Sequence, residues 1–120
     1  MSHQIIIAGT IDLADPSSRD AALIATAALQ QATRDEEPGC LAYVFSPDPC
    51  VEGRLCVFEL WTDEASLAAH FEHPNYLNMR TALGQIGLKG SDNKKYRTDL
   101  SEPVYDETRT PRADFFTAAG

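Results

Sequence analysis

The segment from position 59 to 70 contains three side chains that could act on a flat phenolic molecule: Glu59, Trp61 and His70. His70 follows Leu67 by three residues and precedes Phe71, so it should border the buried face of a helix. There it could take a proton from a phenol, because the ordinary pKa of histidine, about 6.5, lies close to working pH. The plain alternative is a structural histidine that caps its helix or hydrogen-bonds Glu59.

Glu59 and Trp61 lie on one face of a strand, together with Val57, because side chains alternate with a period of two. A carboxylate on an otherwise apolar strand needs a partner. We expect Glu59 to form a structural ion pair with His70 or Arg80. The alternative role of Glu59 is that of a catalytic base. Trp61 could form an aromatic wall for a flat ring, or it could be a large aromatic of the core.

Six further residues could complete a pocket around these three. A tyrosine could orient a substrate carbonyl, and an arginine could stabilise an oxyanion. Core packing is the alternative for the aromatic residues, and surface solvation is the alternative for the arginine. The candidates for substrate binding are Tyr43, Phe45, Val57, Phe71, Tyr76 and Arg80.

Metal and nucleotide sites are not expected. His70 and His73 are spaced i to i+3 with Glu72 between them, but a third metal ligand has no obvious position. The glycines from 84 to 90 lack the lysine and the spacing of a phosphate-binding loop.

The elements that must position these residues can be read from the first half of the chain. Residues 5–11 are rich in β-branched side chains and predict a strand. Asp15 and Pro16 predict a helix start, with Asp as N-cap and Pro at the first helical position. Pro38-Gly39 ends that helix. A stripe of small apolar residues predicts the face that packs on the sheet: Ala21, Ile24, Ala25, Ala28 and Ala32.

The second half predicts a hairpin, a helix and a last strand. Residues 40–45 and 55–61 form the hairpin, and Thr62-Asp63-Glu64 caps a helix that Pro74 interrupts. Gly84, Gly87 and Gly90 predict a loose connection, and the alternation in residues 96–100 predicts the fourth strand.

The predicted order is β-α-β-β-α-β, a ferredoxin-like α+β domain over residues 1–100 with helices on one face of an antiparallel sheet. Residues 101–120 are predicted to be a C-terminal arm that is disordered or lies on a partner subunit.

Several strands are apolar on both faces, as residues 5–7 and Val57-Phe58 show. An antiparallel sheet with one wet face should alternate apolar and polar residues. Because two helices can cover only one face, we expect the other to pack on a second copy, which makes a homodimer.

Composition excludes some partners. The formal net charge of −8 and the lack of a basic tract argue against nucleic acid and anionic membranes. No apolar run reaches the ~20 residues of a membrane helix, and no secretory signal is recognised, so cytoplasmic is the expected location. Cys40, Cys50 and Cys56 lack metal-ligand spacing.

Three stretches resemble the antibiotic biosynthesis monooxygenase (ABM) family. They are Gly39-Cys40-Leu41-Ala42-Tyr43, the segment from Glu59-Leu60-Trp61 through His70, and Pro74-Asn75-Tyr76. The resemblance covers residues 4–100, and 59–70 is its most specific part. It implies a dimeric α/β-barrel with a pocket between sheet and helices in each subunit.

Members of the family oxidise quinols, anthrones or other electron-rich phenols with O2 and use no metal or flavin. Others have no known reaction, and some degrade haem. Gly9 and Arg80 stand where haem-degrading relatives have an asparagine and an axial histidine, so a haem enzyme is not expected. Val57 stands near the asparagine of relatives that act on anthrones, which puts that particular substrate in doubt.

The resemblance implies a cofactor-independent monooxygenase acting with O2 on a small hydrophobic aromatic substrate, such as a quinol or anthrone. Removing a phenolic proton would give an anion rich enough in electrons to pass one to O2. Two alternatives share the pocket. One is a non-catalytic dimeric module that binds a small ligand or senses stress, and the other is a cyclase or isomerase that uses the same base without O2.

Overall fold

The order of strands and helices along the chain is that of a ferredoxin-like α+β domain, as predicted. The computed structural model describes residues 3–117. Its elements are β1 (Gln4–Leu13), a 3-10 turn (Pro16–Ser18), α1 (Arg19–Glu36), β2 (Cys40–Pro47), β3 (Arg54–Trp61), α2 (Glu64–Glu72), α3 (Pro74–Ile86) and β4 (Leu88–Thr98).

The four strands form one antiparallel sheet in the order β2-β3-β1-β4, and the sheet is open. In its register Ile5 lies opposite Trp61 and Ile7 opposite Glu59. Every second residue of each strand therefore points to the side where the helices pack, which we call the inner face. The opposite side is the outer face.

The core lies between the inner face and the helices. Leu13, Leu55 and Trp61 are almost completely buried there, and Met79 and Leu83 of α3 pack against the same cluster. Each such side chain contributes about 1.5–3 kcal/mol by leaving water. The predicted arrangement with helices on one face is thereby confirmed.

The start of α1 is preceded by a separate turn. The Asp15 side chain accepts a hydrogen bond from the Ser17 N–H, as an N-cap should, but Pro16–Ser18 is a 3-10 turn and the α-helix begins at Arg19. The predicted cap is therefore present, one turn before the α-helix itself.

The predicted buried stripe of α1 is wrong. Ile24 is 79% exposed, and Ala21, Ala25 and Ala28 are exposed as well. The face that packs inward instead carries Ala22, Thr26 and Thr33, with Leu23 and Leu29 half-buried beside it.

The threonines explain the error. The hydroxyl of Thr26 donates to the Ala22 carbonyl, and that of Thr33 donates to the Leu29 carbonyl. Threonine satisfied in this way by its own helix is buried at little cost, so it serves as an apolar residue. The helical spacing of the prediction was right, but the phase was wrong.

β4 is longer and earlier than predicted. It runs over Leu88–Thr98 rather than 96–100, and Leu100 lies outside it. Of the three glycines expected to loosen a connection, Gly84 lies inside α3 and Gly90 inside β4. Only Gly87 is at the turn. It is the C-cap of α3, and its φ of 99° is a conformation that glycine adopts readily and that ends the helix. The polar run 89–95 gave no strand pattern, because an edge strand exposed on both faces need not alternate.

The outer face is apolar across its centre. Ile6 of β1 faces this side together with Phe58 and Leu60 of β3, and Phe58 is 43% exposed. Tyr96 of β4, opposite Ile6, is 50% exposed. No helix packs on this face within the described residues. Among residues 3–117 no helix is long and apolar enough to cross a membrane.

Residues 102–117 form a small hook after the sheet. A bridge pairs Tyr105 with Pro111, and the Asp106 carboxylate accepts hydrogen bonds from the Thr108 and Thr110 N–H groups. Glu102 accepts from the backbone N–H of Phe116, which closes the hook. The remainder of the predicted arm, 118–120, lies outside the described residues.

The phase of α1 can be tested with two neighbouring alanines. Ala22→Leu should lower the free energy of unfolding by about 1–3 kcal/mol, because Ala22 is fully buried and the added atoms overpack the core. Ala21→Leu, one residue earlier on the exposed side, should change it by less than about 0.5 kcal/mol. Urea unfolding measures both, and equal effects would contradict the structure.

Candidate functional site

A cleft of about 390 Å³ lies between the inner face and α3, a volume suited to a small organic molecule. All six residues predicted to bind substrate line it, and so does Glu59. Its lining also includes polar and basic side chains from β4. The six are Tyr43, Phe45, Val57, Phe71, Tyr76 and Arg80.

Aromatic rings form much of the cleft wall. The rings of Tyr43 and Phe45 lie 5.2 Å apart, and those of Phe71 and Tyr76 lie 5.1 Å apart. Burial raises the pKa of Tyr43, so its phenol keeps the proton and can donate a hydrogen bond. A flat, partly polar ring is the kind of molecule that such walls accommodate.

Glu59 lies on the floor of the cleft and is 7% exposed. Its Oε1 accepts a hydrogen bond of 3.0 Å from the indole Nε1 of Trp61. The expected pairing with His70 or Arg80 is wrong: among residues 3–117 no basic side chain forms an ion pair with Glu59. The reason is that His70 instead hydrogen-bonds Glu37, the residue that follows α1.

Since no cation of the described residues lies beside it, the ionised form of Glu59 is poorly stabilised, and its pKa is shifted into the range where a carboxyl group can act as acid or base. Burial raises its pKa from 4.5 to about 7, and the nearby Glu37 carboxylate adds to this, whereas the Trp61 hydrogen bond opposes it. At neutral pH this side chain exists in both protonation states.

His70 lies behind the cleft wall. It is 1% exposed, and its ring packs against those of Tyr43, Trp61 and Tyr76 at centroid distances of 5.4, 4.5 and 5.3 Å. Its Nδ1 lies 2.9 Å from Glu37 Oε1. Burial lowers the pKa of His70, partly against the effect of Glu37, and so favours the neutral ring. In that form Nδ1–H donates to Glu37, and Nε2 keeps its lone pair.

Glu37 is the residue that sequence reasoning missed. It follows α1 directly, its side chain is 93% buried, and its Oε2 also accepts a hydrogen bond from Asn75 Nδ2 at 3.2 Å. One signal could have found it. A carboxylate at the C-terminal end of a helix is disfavoured by the helix dipole, so an acid there needs another partner.

Trp61 is fully buried and does not line the cleft. It supports Glu59 from behind through its indole N–H and lies against His70 on its other side. A smaller cavity of about 260 Å³ reaches Trp61 from the far side, next to Glu37 and His73.

A second opening, which we call the side cavity, adjoins the cleft. It measures about 590 Å³ and shares Phe71 and Lys95 with the cleft. The other residues that line it are Ile5, Glu64, Leu67, Ala68 and Arg97. Within residues 3–117, no three His, Cys, Asp or Glu side chains are grouped to hold a metal ion.

Comparison with known proteins gives one family. Residues 4–82 match the sequence model described as antibiotic biosynthesis monooxygenase. An uncharacterized protein of Synechocystis sp. is 29% identical over 93 residues, which cover 78% of this chain and 62% of that protein. The chain thus spans less than two thirds of the length of this relative.

Solved structures share the fold. One from Caulobacter crescentus, provisionally assigned as an antibiotic biosynthesis monooxygenase, has a TM-score of 0.76 at 19% identity, covering 82% of this chain and 92% of that one. A protein of Mycobacterium tuberculosis has a TM-score of 0.68 at 24% identity, with coverage of 82% and 97%. At these identities the likeness shows the fold alone.

The unusual state of Glu59 has a consequence for stability. Between its ordinary pKa of 4.5 and about 7, the folded chain holds a proton that the unfolded chain has lost, so this group makes stability fall as pH rises. Glu59→Gln removes that loss and keeps an acceptor for Trp61. The free energy of unfolding of the variant should exceed that of the parent by up to about 3 kcal/mol at pH 8, and the difference should become small toward pH 5.

Urea unfolding at a series of pH values measures this gap. Glu72→Gln, at an exposed position of α2, is the matched control and should show no such dependence. A gap for Glu59→Gln that stays constant from pH 5 to pH 8 would contradict the assignment.

Proposed function

Because the chain belongs to the antibiotic biosynthesis monooxygenase family, we propose that it is a cofactor-independent monooxygenase that oxidises a quinol, an anthrone or a related electron-rich aromatic with O2. The observation that carries the proposal is Glu59: a carboxyl group with a pKa of about 7 on the floor of a cleft walled by aromatic rings.

The proposed reaction needs a base and no other reactive group of the protein. The substrate loses two hydrogens and gains one oxygen atom, and the second oxygen atom of O2 leaves as water. The substrate thereby supplies all four electrons that O2 takes up. Removal of a proton from a hydroxyl or an activated CH2 group gives an anion that passes an electron to O2. A base whose pKa lies near the working pH serves that step best.

We assign the proton transfer to Glu59 rather than His70, because Glu59 lines the cleft and His70 does not. His70 acts as a positioning residue: fixed by Glu37, it packs against Tyr43 and Tyr76 and so holds two walls of the cleft. The Arg80 guanidinium lies 5.9 Å from the centre of the Tyr76 ring and could stabilise an oxyanion.

The working unit is proposed to be a homodimer. The apolar outer face carries Phe58 and Tyr96 in exposed positions, and no helix of the described chain covers it. Burying such a patch against a second copy removes apolar surface from water at about 25 cal/mol per Å². A sheet from each subunit would then complete the dimeric barrel that the open sheet of one chain lacks.

A second candidate is a non-catalytic module that binds a small aromatic ligand in the same cleft. The burial of His70 favours it, since the histidine that could act as a base is separated from the cleft by the rings around it. The two candidates differ in whether Glu59 has a kinetic role.

The first test is O2 consumption by the chelator-treated protein with hydroquinones, naphthoquinols and anthrones. Glu59→Gln should lower kcat at least about 100-fold, because a neutral amide cannot accept the proton. His70→Ala should lower it less, since the histidine only holds the walls. Glu72→Gln is the control and should retain the parent rate.

The pH profile separates the two bases. If Glu59 is the base, kcat/KM rises with pH through about 7, where Glu59 ionises, and Glu59→Gln loses that limb. A limb below the ordinary pKa of histidine that disappears in His70→Ala would move the role to His70. Binding of these compounds without O2 uptake above the autoxidation background would favour the binding module.

The dimer is tested with a charge on the outer face. Phe58→Glu should convert the dimer to a monomer, because an unpaired carboxylate cannot be buried in an apolar interface. Light scattering should show the mass halved. Ile24→Glu, on the exposed side of α1, should leave the mass unchanged, and a dimeric Phe58→Glu protein would contradict the proposed interface.

A further inference from the structure

Basic side chains are scarce in this chain, and their distribution is uneven. The sequence has 10 Lys and Arg against 18 Asp and Glu. Several of the basic residues are engaged elsewhere: Arg54 pairs with Asp12 at 2.7 Å, and Arg112 with Asp114 at 2.6 Å. The guanidinium groups of Arg19 and Arg34 donate to main-chain carbonyls.

Four others make no ion pair within residues 3–117 and border the two adjoining cavities. Arg80 and Lys94 line the cleft, Arg97 lines the side cavity, and Lys95 lines both. Of the described residues, only two acidic ones line these cavities, the floor residue Glu59 and Glu64 of the side cavity. Positive charge on the rim is therefore not neutralised by ion pairs among residues 3–117.

The register of β4 places two basic side chains, Lys95 and Arg97, close to the cleft. Lys95 lies opposite Ile7 and Arg97 opposite Ile5, so both belong to the inner face. Lysine on an edge strand also hinders strand-to-strand aggregation, which is the ordinary reason for its presence. That reason does not apply to Arg80, which is on α3 and reaches the same cleft from the helical side.

We propose that the substrate is an aromatic carboxylate, with its ring between the tyrosines and phenylalanines of the cleft and its carboxylate at the rim, bound by Arg80 and Lys95. Charge-assisted hydrogen bonds from a guanidinium and an ammonium are the strongest donors for such a group. This substrate class rests on the proposed function for the reaction, whereas binding of the carboxylate rests on the cleft alone.

The test compares two probes of equal size in the absence of O2, 3-hydroxy-2-naphthoic acid and its neutral amide, 3-hydroxy-2-naphthamide. Isothermal titration calorimetry of the full chain should give at least about tenfold tighter binding of the acid. Raising the salt concentration should weaken only the acid. The double variant Arg80→Gln/Lys95→Gln should reduce the preference to about threefold or less, because binding of the acid weakens far more than binding of the amide.

Lys89→Gln is the matched control, because Lys89 is on β4 but lines neither cavity. It should keep the full preference for the acid. Lys95→Gln alone, which leaves the stacking of Arg80 on Tyr76 intact, should give an intermediate value and guards against a folding defect in the double variant.

Equal binding of acid and amide by the parent protein would overturn the proposal, and so would failure of both to bind. A preference that survives the double variant would overturn the assignment to Arg80 and Lys95. Because binding is measured without O2, it does not depend on the reaction. A preference for the acid, with no O2 uptake by any quinol whether or not it carries a carboxylate, would refute the monooxygenase and leave the carboxylate site standing.

Discussion

The buried side chain of Glu37 ties together the three helices on which the cleft depends. Glu37 follows α1, His70 is on α2, and Asn75, which donates to the same carboxylate, is in the first turn of α3. A buried hydrogen bond to a charged group contributes about 1.5–3 kcal/mol, and loss of one partner leaves the other unsatisfied. Phe71 and Tyr76, next to these anchors in the chain, owe their positions over the sheet to this carboxylate.

The two buried glutamates have different surroundings and therefore different roles. Glu37 accepts hydrogen bonds from two side chains on two helices, which suits it to holding those helices together. Within residues 3–117, Glu59 accepts a hydrogen bond only from the Trp61 indole, so the burial of its charge is poorly compensated and its proton is held more tightly. A similar division between a supporting and a titrating carboxylate is common where one site must both hold a shape and move a proton.

The period of two in β3 was sufficient to predict that Val57, Glu59 and Trp61 share one face, because such a period leaves only two faces to choose between. Tyr43 and Phe45 were candidates by residue type alone, and both line the cleft, whereas Trp61 lies behind it. The helix was harder, since the packing of α1 depends on threonines whose hydroxyls are satisfied within the helix. The partner of His70 could not be predicted, because Glu37 is distant in the sequence and joins it only through the tertiary fold.

Trp61 is the only tryptophan of the chain, and its indole N–H is bonded to the carboxyl group proposed to do the chemistry. The ring is fully buried, so solvent relaxation contributes little to its emission. Its excited state is instead exposed to the charge of Glu59 and to the His70 ring beside it. The near-ultraviolet signal of Trp61 therefore reports on the ionisation of the Glu59 carboxyl group, without any added label.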